Sequence, residues 1–141
     1  MSIHEPDASD FRMVGGADFV TDLLAEQLRG EDRDLYVIHL DDVDHAGHAS
    51  GFSPENPAYL EAITGVDALA GRLLDAILDR PNLAEEDWLI VVTTDHGGVG
   101  TGHGGLAPPY RRVPFIFAGP TRPVGVFVDT VIHMDVFPTI L

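Results

Sequence analysis

A long helical period set between two short β-rich runs constrains this chain more than any other feature. Leu60, Ile63, Leu69, Leu73, Leu74, Ile77 and Leu78 recur at three- and four-residue steps, the spacing of one helical face. Asn56 stands where an N-cap acceptor belongs, Pro57 suits the first helical position, and Arg80-Pro81 closes the run. Residues 35–40 (LYVIHL) precede this helix and residues 88–93 (WLIVVT) follow it, and both read as buried strands. Strand, helix and strand make a βαβ unit, whose two strands run parallel. A helix over residues 17–28, stopped by Gly30, comes before the unit. Residues 113–118 (VPFIFA) are a third strand, residues 126–131 a short fourth, and the final HMDVFPTIL a helix start. The class is α/β, with no repeat, low-complexity tract or linker in the 141 residues.

In open α/β sheets, ligands gather beyond the C-terminal ends of the strands. The residues just after the first two strands should therefore be chemically unusual. After the first comes Asp41-Asp42-Val43-Asp44-His45-Ala46-Gly47-His48; after the second come Asp95-His96-Gly97-Gly98 and Gly100-Thr101-Gly102-His103-Gly104. Four of the seven histidines lie in these two stretches. Asp44 and His48 share a face if their segment is helical. Carboxylate with imidazole suits zinc, and also manganese or iron, better than calcium. Taken singly, Asp-x-x-x-His is most often a solvated loop, Asp-His-Gly a turn and a glycine-rich stretch a flexible connection. Two such clusters on one sheet edge favour a metal site. Two other patterns fail on context. Residues 100–105 match G-x-G-x-x-G, but Pro108-Pro109 forbids the helix that a dinucleotide fingerprint must open. Ser50 lies outside any G-x-S-x-G nucleophile elbow.

Composition narrows the partners. A net charge of −15 repels nucleic-acid backbones, so no nucleic-acid-binding surface is expected. Without cysteine, any metal must be held by histidine and carboxylate. No apolar run reaches membrane-spanning length, and residues 1–11 lack the basic and apolar regions of a signal peptide.

In order and spacing, four motifs resemble those of the alkaline phosphatase superfamily, nearest its type I phosphodiesterase/nucleotide pyrophosphatase branch. They are Asp44-His45-Ala46-Gly47-His48, Thr94-Asp95-His96-Gly97, His103-Gly104 and Val113-Pro114-Phe115-Ile116-Phe117-Ala118-Gly119-Pro120. The terminal Asp135-Val136-Phe137-Pro138-Thr139-Ile140-Leu141 is similar to a segment that ends the catalytic core in that family. The resemblance implies a three-layer α/β/α alkaline phosphatase-like sheet, present here as a partial domain over residues 1–141. It implies two divalent metal ions, zinc first, with a small phosphate ester as substrate. Asp44, His48 and His103 would bind the first ion; Asp95 and His96 would bind the second. In the family, a metal-activated Ser or Thr attacks phosphorus and water releases the covalent intermediate.

One departure qualifies this. The family draws a further aspartate and its nucleophile from a segment before the Asp-x-x-x-His motif. Only about forty residues precede that motif here, and Asp7, Ser9 and Asp10 resemble nothing in the family pattern. The expectation is a fragment whose start is missing, with Met1 an internal methionine, no catalytic nucleophile in this chain and little activity by itself. Other superfamily chemistries stay open: a phosphomonoesterase, a sulfatase or a phosphoglycerate mutase. Sulfatases generally hold a single calcium, and the mutase's usual Asp-His-Gly-Asn is here Asp95-His96-Gly97-Gly98. A non-catalytic metal-binding remnant is a further alternative. Asp41, Asp42, His45 and His133 read first as solvated or capping residues. Phe52 and Tyr110 read as core packing or as contacts to a leaving group, and Arg111-Arg112 as phosphate attractors or partners of the acidic surface.

Overall fold

Asn56 begins helix α3 (Pro57–Leu78) as its chemistry suggests, with an extended backbone and a side chain that accepts from the Ala58 N–H at 3.2 Å. The same amide donates to Ser50 Oγ at 2.8 Å and to the Gly51 carbonyl at 2.7 Å, tying the start of α3 to the end of α2 (Asp42–Ser50). The structure, a computed structural model, describes residues 16–30, 32–120, 125 and 131–140. Helix α1 (Ala17–Gly30) packs along α3, with Thr21, Ala25 and Leu28 buried on its inner face. Ala25, Leu28, Ala76 and Ile77 form the core. Leu24, Leu73, Leu83, Tyr36, Trp88 and Ile90 close around it.

Beyond α3 the chain is pinned by a buried guanidinium. The Arg80 side chain, 7% exposed, donates to both Glu86 carboxylate oxygens at 2.7 Å and to the Leu28 carbonyl. It also lies 5.2 Å from the Trp88 ring centre, and the Trp88 indole donates to Glu86 at 2.7 Å. A buried charge survives only when its donors are satisfied, and here they are. A 3₁₀ turn (Leu83–Glu85) then leads into strand β1 (Ile90–Thr93).

Strand β1 pairs antiparallel with β2 (Phe115–Ala118), in the register Ile90 to Ala118 and Thr93 to Phe115. Phe115 and Phe117 turn partly inward, while Ile116 and Ala118 face out. Between the strands lies the one-turn helix α4 (Pro108–Arg111), which opens on two prolines. A 3₁₀ turn (His133–Asp135) and helix α5 (Val136–Ile140) follow. The strand expected over residues 126–131 lies outside the described residues except for Val131.

Two expectations are corrected. Residues 88–93 supply a strand, but a half-buried one, with Val92 45% exposed, because it pairs with β2 alone among the described residues. Residues 35–40 form no strand and are not buried: Leu35 is 57% and Val37 79% exposed. Their apolar, β-branched character gives propensity, but a strand also needs a backbone partner in register. The period of two persists all the same, with Tyr36, Ile38 and Leu40 half-buried and Leu35, Val37 and His39 exposed. Tyr36 stacks on Trp88 at 5.9 Å, and Asp44 faces His96; both pairs are 52 positions apart, so the two segments run in the same direction. That shared direction brings the two acidic, histidine-rich stretches to one end.

Candidate metal centre

Each half of the cluster is shaped locally. On α2, Asp44 and His48 lie one turn apart and face the same way, with His48 Nε2 3.5 Å from Asp44 Oδ2. The helix stops at Gly51, whose φ of 110° suits glycine and whose N–H donates to Gly47 O at 2.8 Å. In the other half, Val99 and Gly102 exchange backbone hydrogen bonds at 2.9 and 3.2 Å across a tight turn. Gly100, at φ 59°, makes that turn possible. The turn folds His103 back onto His96, and their rings stack 3.7 Å apart at 17°.

Asp44 is where the two halves meet. Its Oδ1 lies 4.0 Å from His96 Nε2 and 3.9 Å from His103 Nε2, and donor atoms of these three residues all fall within 4.8 Å of one another. His48 stands beside this trio, its ring 4.8 Å from that of His103, and Asp95 Oδ2 is 3.5 Å from His96 Nε2. All five residues singled out in the sequence therefore form one contiguous group. His96 sits between Asp44 and Asp95, in contact with both aspartates.

Hydrogen bonding shows which lone pairs point inward. His48 Nδ1 donates to the Thr101 carbonyl at 2.9 Å, so in the neutral ring Nε2 is the free acceptor, and it faces Asp44. His96 Nδ1 donates to Gly97 O at 3.3 Å, with the same consequence for its Nε2. Asp44 Oδ1 is itself buried and has no hydrogen-bond partner among the described residues. With the rings neutral, the free lone pairs of His48 and His96 thus converge on those of Asp44. Charge-assisted hydrogen bonds from protonated imidazoles would close to roughly 2.7–2.9 Å, whereas the distances from Asp44 to the three histidines are 3.5–4.0 Å. A divalent cation bound by oxygen and nitrogen meets the need of such a donor set, and a ring carbonyl partner on the outer nitrogen is the usual way to orient a ligating histidine. The residues fit the group.

The surroundings support the same geometry. Asp95 is held below the usual carboxylate range: its partial burial works against ionisation, but the charge that His96 carries when protonated, the backbone N–H groups and the Thr94 hydroxyl outweigh it. Gly97 packs so closely on the Pro109 and Arg112 carbonyls that a Cβ there would stand 2.2 Å from Pro109 O, and its N–H donates to Tyr110 O at 2.9 Å. Tyr110 itself lies against Gly105, and Arg111 and Arg112 are exposed beside this segment. Asp41 pairs with His39 at the surface, Asp42 and His45 are exposed, and Ser50 only links α2 to Asn56. His4, Asp7, Ser9 and Asp10 lie outside the described residues. Two further residues touch the group. His133 Nε2 donates to Thr94 O at 2.7 Å, beside Asp95, and Phe52 packs beneath His48 and His103. No local pattern marks either contact.

Residues 6–104 match the profile of a family described as type I phosphodiesterase / nucleotide pyrophosphatase. Among curated proteins, the chain is 29% identical over 128 residues to a 2,3-bisphosphoglycerate-independent phosphoglycerate mutase of Acinetobacter baylyi, covering 86% of this chain and 22% of the mutase. A protein of the same description from Syntrophotalea carbinolica is 29% identical over 137 residues, covering 94% of this chain and 24% of the relative. A sulfatase of Formosa agariphila is 34% identical over 91 residues, covering 60% of this chain and 17% of the sulfatase. The chain thus spans less than a quarter of the length of these relatives. No solved structure matches it.

Proposed function

The chain belongs to the type I phosphodiesterase / nucleotide pyrophosphatase family, and on that premise we propose that it is the metal-binding part of a phosphate-ester hydrolase. Its relatives are phosphoglycerate mutases and a sulfatase, so its wider setting is the alkaline phosphatase superfamily. One observation supports the reading above all others: the buried, unpartnered Asp44 Oδ1 that faces two imidazole nitrogens. Asp44, His48 and His103 would hold one divalent ion, zinc first and manganese or iron next; Asp95 and His96 would supply two ligands to a second. Bound there, the ions would polarise phosphoryl oxygens and stabilise the attacking and leaving oxygens of an in-line displacement. The protein's own share is to fix the tautomers of His48 and His96, to keep Asp95 ionised and to hold the five side chains in one small volume. The substrate in this reading is a small phosphodiester or pyrophosphate.

The same proposal includes a three-layer α/β/α domain of which these residues form one part, with the nucleophile and a further aspartate supplied from outside them. The 141-residue chain by itself is then expected to hydrolyse bis-p-nitrophenyl phosphate little faster than buffer containing the same metal. Enzyme-like turnover by the purified chain, lost on Asp95→Ala, would contradict that part of the reading. A mutase is the second reading, favoured by the two mutase relatives that align over most of this chain. A panel of diesters, monoesters and phosphoglycerates, offered to a version completed with the nucleophile segment, separates the two.

A further inference from the structure

Phe52 touches both halves of the cluster, yet the metal-binding reading gives it no task. Its N–H donates to Gly100 O at 2.7 Å, joining the end of α2 to the turn that delivers His103. Its ring stands edge-on to His48 (5.5 Å between centres, 78°) and to His103 (6.4 Å, 87°), and leans on Tyr59 of α3 at 5.7 Å. Edge-to-face contacts of this kind fix the relative tilt of rings as well as burying area. Two glycines make room for it. A Cβ on Gly47 would stand 2.2 Å from ring atom Cε1, and a Cβ on Gly98 would stand 2.4 Å from ring atom Cγ. The second clash is the harder to relieve, because Cγ moves only by rotation about χ1, which would carry the whole ring out of its place between the histidines. The ring is therefore wedged between the backbone of α2 and the backbone that follows β1.

We infer that Phe52 is a positioning residue that sets His48 and His103 against Asp44, and that residue 98 is glycine because Phe52 occupies the space a side chain would need. The inference rests on the metal-binding reading above, since the histidines it positions are the ones assigned there as ligands. It also gives the Asp-His-Gly-Gly pattern a reason: glycine at 98 and phenylalanine at 52 belong together. Substituting one alone should disrupt the site, while substituting both should remove the clash.

The test is a double-mutant cycle read by zinc titration calorimetry on the whole chain. Phe52→Ala should weaken zinc binding by about 10–100-fold, the usual effect of removing a residue that orients ligands. Gly98→Ala should weaken it comparably when Phe52 is present and hardly at all in the Phe52→Ala background. Equal effects of Gly98→Ala in both backgrounds, or zinc affinity unmoved by Phe52→Ala, would overturn the inference. A wild-type chain that binds no zinc would defeat the metal-binding reading instead, and a second readout still decides the role of Phe52. Histidine-ring ¹⁵N spectra of the metal-free protein should show His48 held as the Nδ1–H tautomer, with Phe52→Ala producing a tautomer mixture; an unchanged His48 signal would also overturn the inference. Phe52→Leu, which keeps apolar bulk without a ring, serves both measurements if the alanine variant fails to fold.

Discussion

Asp44 sets the character of the centre because its Oδ1 is buried among acceptors and has no donor. Without a cation this arrangement costs stability, since a buried acceptor left unmade forfeits its solvation. Asp44→Asn keeps the shape and places a donor 3.9–4.0 Å from the His103 and His96 nitrogens, so that a small side-chain shift closes a hydrogen bond. The metal-free protein should gain about 1 kcal/mol in chemical denaturation, while its affinity for zinc falls. An asparagine variant less stable than the metal-free parent would count against the convergence of lone pairs described here. Part of this was legible in the sequence. Asp44 and His48 are one helical turn apart, and Asp95 and His96 are adjacent, so local spacing was enough to nominate them. His103 joins Asp44 only through the turn at Gly100, which the glycines hinted at and the family motifs singled out. The tautomer-setting bond from His48 to Thr101 spans 53 residues, and the His133 contact with Thr94 spans 39; no short-range pattern encodes either.

At the scale of elements, α3 is the clearest case of sequence dictating structure. Its apolar period, N-cap and proline agree with one another, and the helix forms over Pro57–Leu78 as that agreement requires. Asn56→Ala removes the cap and also the two bonds that fasten α2 to α3. The expected loss is about 1–2 kcal/mol in unfolding free energy, accompanied by weaker zinc binding, because the same bonds hold the helix that bears Asp44. A stability loss of that size with unaltered zinc affinity would show that α2 is positioned by other contacts. Residues 35–40 show the opposite limit. Their β-branched run and period of two were legible, but pairing depends on a partner backbone, which no composition of the segment itself can supply. The alternation and the direction of the segment survive, and the direction suffices to place Asp44 near His96.

Across the whole molecule, the described core is small: among its hydrophobic residues only Ala25, Leu28, Leu69, Ala76 and Ile77 are buried. Stability should therefore depend visibly on ligands and on charge. Zinc at 100 times its dissociation constant adds about 2.7 kcal/mol, so thermal unfolding should move up with zinc and return with a chelator. The Arg80–Glu86 pin makes a separate contribution. Hydrogen bonds first from Arg80 and then from Trp88 hold the Glu86 carboxyl at about 2, below its ordinary 4.5. Because the folded value is depressed, this contribution is present above about pH 4.5 and is lost as pH falls towards 2. Melting curves of the parent and of Glu86→Gln should accordingly differ at neutral pH and draw together over that interval. A gap that stays constant down to pH 2 would mean that the carboxylate adds nothing.

On the function proposed, Asp44, His48, His103, Asp95 and His96 form a metal centre. The most direct test is the metal content of the purified chain by plasma mass spectrometry after zinc loading and desalting, beside Asp44→Ala and His103→Ala. About one tightly held ion per chain or more is expected, with the content falling sharply in both variants while their helical circular dichroism persists. A parent chain that retains no stoichiometric metal, or variants that retain as much as the parent, would contradict it.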